Sequence, residues 1–204
     1  INAIETTGDV YLARIGAADD RVAFLTAAAG SIFNGSTDYN ESNGGSSNLI
    51  SGQARLIASG SIGTAAKRII AKLRTAAGDT YGGFEATAGG DVWMWNVGGL
   101  RVGGVTEQAK AGIQAGGAIN VRTSSPVTIT TDLISKKSIN VFSGEDTNRS
   151  DDLLLVKSGV TIFSTEGSVT LAAGDNLTVE AGAVVKAKGD IVLKADTKVV
   201  KDAN

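Results

Sequence analysis

The chain carries no histidine and no cysteine. That removes the Ser-His-Asp triad, thiolate nucleophiles, disulfides and nearly all zinc sites. What is left to do chemistry is side-chain oxygen, positive charge and aromatic rings. Oxygen is densest from Gly144 to Asp152, where Glu145, Asp146, Asp151 and Asp152 stand with Asn148 and Ser150 around one positive charge, Arg149. A hard cation such as calcium takes roughly six to eight oxygens, and a loop of this make-up supplies several. It lacks the loop glycine and distant Glu of an EF-hand, so the competing reading is a solvated insertion between strands. Calcium is the one cofactor the sequence raises. Asp19, Asp20, Asp9, Asp91, Asp175 and Asp190 read as turn formers whose oxygens bond neighbouring amides. A ladder of metal sites built from them would want a stricter period.

Positive charge gathers at Lys67, Arg68, Lys72 and Arg74. The cluster could meet an acidic polysaccharide or a phosphate. With little aromatic interleaving it reads as a solvated face rather than a nucleic-acid surface. The net charge of -2, from 19 basic and 21 acidic residues, likewise advertises neither nucleic acid nor an anionic membrane. The aromatic feature is Val92-Trp93-Met94-Trp95. If Val92 and Met94 point inward, as Val10 and Leu12 do in Val10-Tyr11-Leu12, then Trp93 and Trp95 stand on the outer face. Trp93, Trp95 and Tyr11 are then candidate interface residues, for sugar rings or another protomer. The alternatives are a local cover over the indoles, or a reversed register that buries them.

Catalysis finds little support. Glycoside hydrolysis needs two carboxylates facing each other across a groove. Here the acids are scattered through corners, and Tyr11, Tyr39 and Tyr81 show no partner in the sequence. The chain is therefore expected not to be an enzyme. Four Asn-x-Ser/Thr triplets, at Asn34, Asn40, Asn148 and Asn176, are what an Asn- and Ser-rich composition produces by chance.

These groups must be positioned by something, and the repeats say what. Apolar pairs of period two recur as Ile119/Val121, Val127/Ile129, Ile139/Val141, Leu153/Leu155, Val160/Ile162, Val169/Leu171, Leu177/Val179, Val185/Ala187 and Ile191/Leu193. Each marks a short strand with one buried face, too small to bury that face alone. Asn-Gly occurs at Asn34-Gly35 and Asn43-Gly44, both inside one polar stretch, and Asp-Gly nowhere, so tight hairpins are scarce. What recurs is a Gly-Asp or Gly-Ser corner leading into a strand. Gly8-Asp9-Val10-Tyr11-Leu12, Gly90-Asp91-Val92-Trp93-Met94 and Gly189-Asp190-Ile191-Val192-Leu193 show it, as do Gly30-Ser31-Ile32, Gly60-Ser61-Ile62 and Gly174-Asp175-Asn176-Leu177. Glycine is expected there for its unusual backbone. The pattern favours an all-β parallel β-solenoid over a sandwich, with about three short strands per coil; Val169 to Ile191 makes one coil of 22 residues. At the usual ~4.8 Å between strands, 204 residues give about eight coils and a rod of ~40 Å.

The chain then reads as a single solenoid over 1–204, a segment or subunit of a larger assembly, with protruding polar loops at 33–48 and 144–152. It starts at Ile1 and ends in Lys201-Asp202-Ala203-Asn204 without a closing element. No run approaches the ~18 apolar residues of a membrane span. Residues 64–77 stay open between two bent strands and an amphipathic helix of about three turns.

The phrases of 139–195 carry a resemblance. Ile139-Asn140-Val141, Ser158-Gly159-Val160-Thr161-Ile162 and Gly167-Ser168-Val169-Thr170-Leu171-Ala172-Ala173-Gly174-Asp175-Asn176-Leu177 resemble the repetitive region of filamentous-haemagglutinin-like adhesins and related giant bacterial surface proteins. Ala58-Ser59-Gly60-Ser61-Ile62-Gly63-Thr64 is of the same type. The resemblance implies a right-handed parallel β-helix, export to the cell surface, and roles in adhesion, biofilm or matrix building, with no shared catalytic residues to carry over. The expectation is a non-enzymatic extracellular rod, part of a surface adhesin or of a self-assembling matrix fibre. It would partner itself, head to tail and laterally, or a cell-surface or matrix polysaccharide. The alternative is a carbohydrate-binding or polysaccharide-degrading β-helix.

Overall fold

A computed structural model describes residues 1–40, 47–74, 81–105, 112–144 and 152–197. Every regular element among them is a β-strand, and the strands pair in parallel throughout. The chain is an all-β parallel solenoid. Its first turn is β1 (Asn2–Glu5), β2 (Val10–Leu12) and β3 (Ile15–Gly16), and its second β4 (Val22–Ala27), β5 (Ile32–Asn34) and β6 (Leu49–Ser51). The third is β7 (Gln53–Ala58), the bridge residue Ile62 and β8 (Ile69–Leu73), and the fourth β9 (Gly83–Ala88), β10 (Val92–Asn96) and β11 (Leu100–Val102). Then follow β12 (Ile113–Ala115), β13 (Ile119–Thr123) and β14 (Val127–Ile129), then β15 (Leu133–Ser135), β16 (Ile139–Ser143) and β17 (Leu154–Val156). The last are β18 (Thr161–Ser164), β19 (Val169–Ala173) and β20 (Leu177–Val179), and finally β21 (Val184–Ala187) and β22 (Ile191–Lys194).

Two stacks face each other across one core. In the first three turns the first stack is a single strand per turn, β1 under β4 under β7, while the second is split into two lines, β2-β5-Ile62 and β3-β6-β8. At the fourth turn the arrangement inverts. β10 spans both lines of the second stack, with Val92 over Ile62 and Met94 over Ile69. β9 is followed instead by two strands, β11 beside Gly83 and Phe84 and β12 beside Ala86 to Ala88. The length of a turn also varies. Ile113 faces Leu133 across one turn of 20 residues, and Phe24 faces Arg55 across one of 31.

Alternation builds the core as columns. Leu25, Leu56, Ala86, Ile113, Leu133 and Ile162 stack in register, as do Val92, Ile119, Ile139 and Val169, all fully or almost fully buried. Each buried Leu, Ile or Val contributes about 1.5–3 kcal/mol. Where the walls converge the column is Ala27, Ala58, Ala88 and Ala115, then Ser135 and Ser164. One expected pair is out of phase: the inward residues of β17 are Leu154 and Val156, not Leu153 and Leu155. Leu153-Leu154-Leu155-Val156 is apolar throughout, so alternation cannot phase it, and the pairing of Leu154 with Val127 does. The described part of 64–77 holds no helix: it is a turn followed by the single strand β8. Ile69, Ala71 and Leu73 face the core, and Thr64 and Lys67 close a turn before them. Phe33 and Asn34 belong to β5 rather than to the loop expected from 33 onward.

The corner that enters the second stack is bonded from turn to turn by side chains. The amide of Ser31 donates to Asp9 Oδ1 (2.7 Å), that of Ser61 to Ser31 Oγ (3.0 Å), and that of Asp91 to Ser61 Oγ (3.0 Å). Ala118 donates to Asp91 Oδ1 (2.8 Å), Ser168 to Ser138 Oγ (3.3 Å) and Asp190 to Ser168 Oγ (3.0 Å). These oxygens bond the next turn's amide, not their own neighbours as the sequence suggested. They also explain the glycines. A Cβ at Gly60 would lie 2.2 Å from Ser31 Oγ, at Gly90 2.3 Å from Ser61 Oγ, and at Gly117 1.9 Å from Asp91 Oδ1. None of these glycines has a positive φ, so close approach and not backbone freedom demands them. The single break obeys the same logic. Ala118 offers no oxygen, and the next corner residue on that line is Lys137 instead of glycine. Gly174-Asp175 belongs to a different corner, where Gly174 bonds Ser143 and Asp175 bonds Asp152.

Ala118→Ser alone is expected to gain nothing, because its hydroxyl runs into the Lys137 Cβ. With Lys137→Gly it restores a bond to the Ser138 amide, and a double-mutant cycle by chemical denaturation should give a favourable coupling of about 1 kcal/mol. Strict additivity of the two substitutions would disprove the steric link.

Candidate functional site

The outer side of the second stack holds most of the side chains singled out by type. Along β10, Val92, Met94 and Asn96 are buried, and Trp93 and Trp95 stand outward and half-buried. Trp93 is flanked by Asn120 of β13, and Trp95 by Ile70 of β8 and Arg122 of β13. The guanidinium of Arg68 lies 5.4 Å from the Trp93 ring, and that of Arg122 lies 5.6 Å from the Phe142 ring. Such contacts are worth about 0.5–2 kcal/mol, more as they are desolvated. Trp93 Nε1 reaches Asp91 Oδ2 at 3.4 Å, so the corner aspartate serves both the ladder and the indole.

Arg68 is only 8% exposed because the chain after β5 folds back on it. The Arg68 amide donates to Tyr39 Oη (3.1 Å), and its carbonyl accepts Asn34 Nδ2 (2.7 Å). Lys67 Nζ donates to the Ser36 carbonyl. Asn48 fastens the other side: its Nδ2 donates to Leu12 O and Asn34 Oδ1 (both 2.9 Å), and its Oδ1 accepts the Ile70 amide (3.1 Å). The expected protruding loop is thus tied down at both described ends, and Asn34 is buried with its amide committed. Residues 41–46 lie outside the described residues.

Tyr11 is brought to Phe33 and not to the tryptophans. The two rings sit 5.6 Å apart at 42°, and Tyr11 is 67% exposed. Between Phe33 and Trp93 the same outward line carries Gly63, at φ +68, where a Cβ would meet the Trp93 carbonyl at 2.3 Å. There the chain leaves the stack for the turn that carries Arg68, which splits the aromatic line in two.

The basic cluster is largely spent on structure rather than spread as a solvated face. Lys67 and Arg68 hold the fold-back, and Arg74 Nε pairs with Asp19 Oδ1 at 3.1 Å. Of the proposed calcium ligands, Glu145, Asp146 and Asp151 lie outside the described residues. Asp152 is buried; its amide donates to Asp175 Oδ2 (3.2 Å), and its carbonyl accepts the Asp175 amide (3.0 Å). Asp196 follows one turn on, its amide bonded to the Asp175 carbonyl. Among the described residues no three His, Cys, Asp or Glu side chains come together as a metal site would require. None of the helices a membrane span would need is found there either.

Two charged groups were not foreseen. Glu85 faces outward on β9 beside Arg55 of β7, yet is 1% exposed, and its Oε1 accepts the Val105 amide (3.0 Å). Alternation marks Glu85 as outward; nothing local to it announces the chain that covers it. Glu180 bridges two turns: Oε1 accepts Lys157 Nζ (2.6 Å) and Oε2 the Ser158 amide (2.8 Å). The Lys157 bond first, then the Ser158 amide, hold its carboxyl below the ordinary carboxylate value against a small desolvation cost.

No family model, curated protein or solved structure matches the chain.

The lowered Glu180 pKa means that its stabilising contribution is complete above the unfolded-state value and disappears as pH falls through the folded one. Glu180→Gln should therefore melt below the native chain at neutral pH, and the gap should close in acid, below the ordinary carboxylate range. A gap that persists at the acid end would show that the charge is not what Glu180 contributes.

Proposed function

We propose that the chain is a non-enzymatic structural or adhesive rod of the bacterial cell surface, a stretch of β-solenoid serving an adhesin or an extracellular matrix fibre. The observation that supports this best is where its polar groups go. Corner oxygens, Asn34, Asn48, Asn96, Arg68 and Glu180 all bond the chain's own adjacent turns or excursions. Such a molecule is built for extension, with each turn stabilising its neighbours. The likeness of its phrases to haemagglutinin-type surface proteins agrees with that use. Its partners are then further copies of itself and surface or matrix polysaccharide, and calcium belongs to this reading only through the acidic stretch around Asp152.

A second reading, polysaccharide binding, has one observation in its favour. Tyr11 and Phe33 form an exposed aromatic pair of the kind that stacks on sugar rings.

Antibody raised against the chain should label intact cells of the producing bacterium as strongly as permeabilised ones. Labelling only after permeabilisation would overturn the surface placement. Incubation with acidic and neutral polysaccharides should leave their viscosity unchanged, and a steady fall would make the protein an enzyme. If the chain is retained on a polysaccharide resin, and Tyr11→Ala abolishes retention without lowering the melting temperature, the binding reading takes precedence.

A further inference from the structure

One corner amide has no acceptor inside the chain. On the line that enters the second stack, the amides of Ser31, Ser61, Asp91, Ala118, Ser168 and Asp190 each donate to a side-chain oxygen of the turn before. Ser138 holds the same place, at the entry to β16, and the residue one turn before it is Ala118, which offers only a methyl group. The Ser138 carbonyl accepts the Ile119 amide and its Oγ the Ser168 amide, so the turns on both sides are served. Its own amide bonds nothing among the described residues. A backbone donor left unbonded is uncommon enough to require a reason.

The surroundings of that donor are positive. Lys136 and Lys137 precede it directly, and both are exposed. Lys136 Nζ stands 3.6 Å from Glu166 Oε1, with both side chains more than half in solvent, whereas Lys137 has no ion pair among the described residues. The nearest acids on the line, Asp91 and Asp190, lie two turns to either side, and Asp91 is already spent on the Ala118 amide and the Trp93 indole. Ala118 and Ser138 are themselves partly exposed, and further turns stack on both sides of them. At Gly90 and Gly117 a Cβ would overlap the acceptor of the turn before. The Lys137 Cβ likewise leaves no room for a hydroxyl fixed to residue 118, but an oxygen arriving from solvent is not tied to that backbone.

Resting on the reading of a surface rod that meets polysaccharide, we propose that this corner binds an anionic oxygen from outside the chain. The ligand is a carboxylate or sulfate group, carried by an acidic polysaccharide or by a free ion. Its oxygen accepts the Ser138 amide, in the role that Asp or Ser plays at the other corners. The Lys137 ammonium, with Lys136 beside it, balances the charge. Hydrogen bonds in which one partner is ionised are shorter than neutral ones and about twice as strong. The same two lysines that break the glycine pattern thus supply what the missing side-chain oxygen does not.

The test follows the backbone amides of the full, isotope-labelled chain by NMR at constant ionic strength, as sodium sulfate or a galacturonate oligosaccharide is added. The Ser138 amide should shift and saturate, while those of Ser61 and Ser168, already bonded, should stay where they are. Ala118→Ser with Lys137→Gly gives the corner an acceptor of its own, so the Ser138 response should vanish while the melting temperature is kept or raised. Lys136→Ala with Lys137→Ala keeps the unbonded amide and removes the charge, and should weaken binding roughly tenfold. Saturation by both probes, with retention of the chain on a polygalacturonate resin, makes polysaccharide the source; saturation by sulfate alone makes it a free ion. A Ser138 amide that answers neither probe overturns the proposal, as does a response that persists in the folded Ala118→Ser, Lys137→Gly chain. Resin retention that survives both variants overturns this corner and leaves polysaccharide as a partner elsewhere. Cell labelling only after permeabilisation overturns the surface placement and leaves the corner standing.

Discussion

Adjacent turns lie one strand spacing apart, about 4.8 Å, and little in this chain escapes that distance. It brings backbone so close at the corners that a Cβ and the preceding turn's side-chain oxygen cannot both be present. Asp or Ser on one turn is therefore answered by Gly on the next, and Ala118 by Lys137. The same distance lines up like residues inside. The column Ala27-Ala58-Ala88-Ala115 narrows one edge of the core, and Leu and Ile columns fill its width. Where walls meet, buried amides are needed in place of apolar groups, and Asn48 and Asn96 supply them. Asn96 accepts the Leu73 amide (3.1 Å) and donates to Gly99 O (2.9 Å).

Charge and aromatic surface follow from the excursions the stack allows. Where one line of strands is split in two, the connection between the halves can wander, and it brings distant residues over the outer face. Arg68 comes to lie on Trp93 this way, held by Tyr39 and Asn34. Arg74 pairs with Asp19. These groups cement loops to walls, and so leave Tyr11 beside Phe33 as the most exposed aromatic ring.

Period two in short apolar pairs, with corners of glycine and Asp or Ser, is enough to read a parallel solenoid with about three strands per turn. The inward phase of β10 follows from Val92 and Met94 alone. What could not be read has physical causes. The run Leu153 to Val156 has no polar residue to set its phase. The corner glycines look like residues chosen for an unusual φ, because a clash with the neighbouring turn leaves no trace in the local sequence. The inversion at β9 and β10 is hidden because both versions use about three strands per turn. The partner of Trp93 is 25 residues away and reaches it through space, and the cover over Glu85 lies beyond any local pattern. The rule that fixes the fold is met by Gly, Ala, Ser, Asp and any branched aliphatic residue. A pattern so permissive identifies an architecture readily and a lineage hardly at all.

The spread of turn lengths, 20 residues in one place and 31 in another, has a consequence for what the rod can carry. Each excursion begins and ends on strands already clamped by the turns on either side, so its two ends are held at a fixed separation whatever happens between them. Doubling the length of a connection then adds only about 0.6 kcal/mol of closure entropy. Peptide inserted after Tyr39 and before Asn48, or after Val105 and before Ile113, is then expected to leave the strands beneath in register, because the bonds that tie each connection to the wall lie outside those intervals.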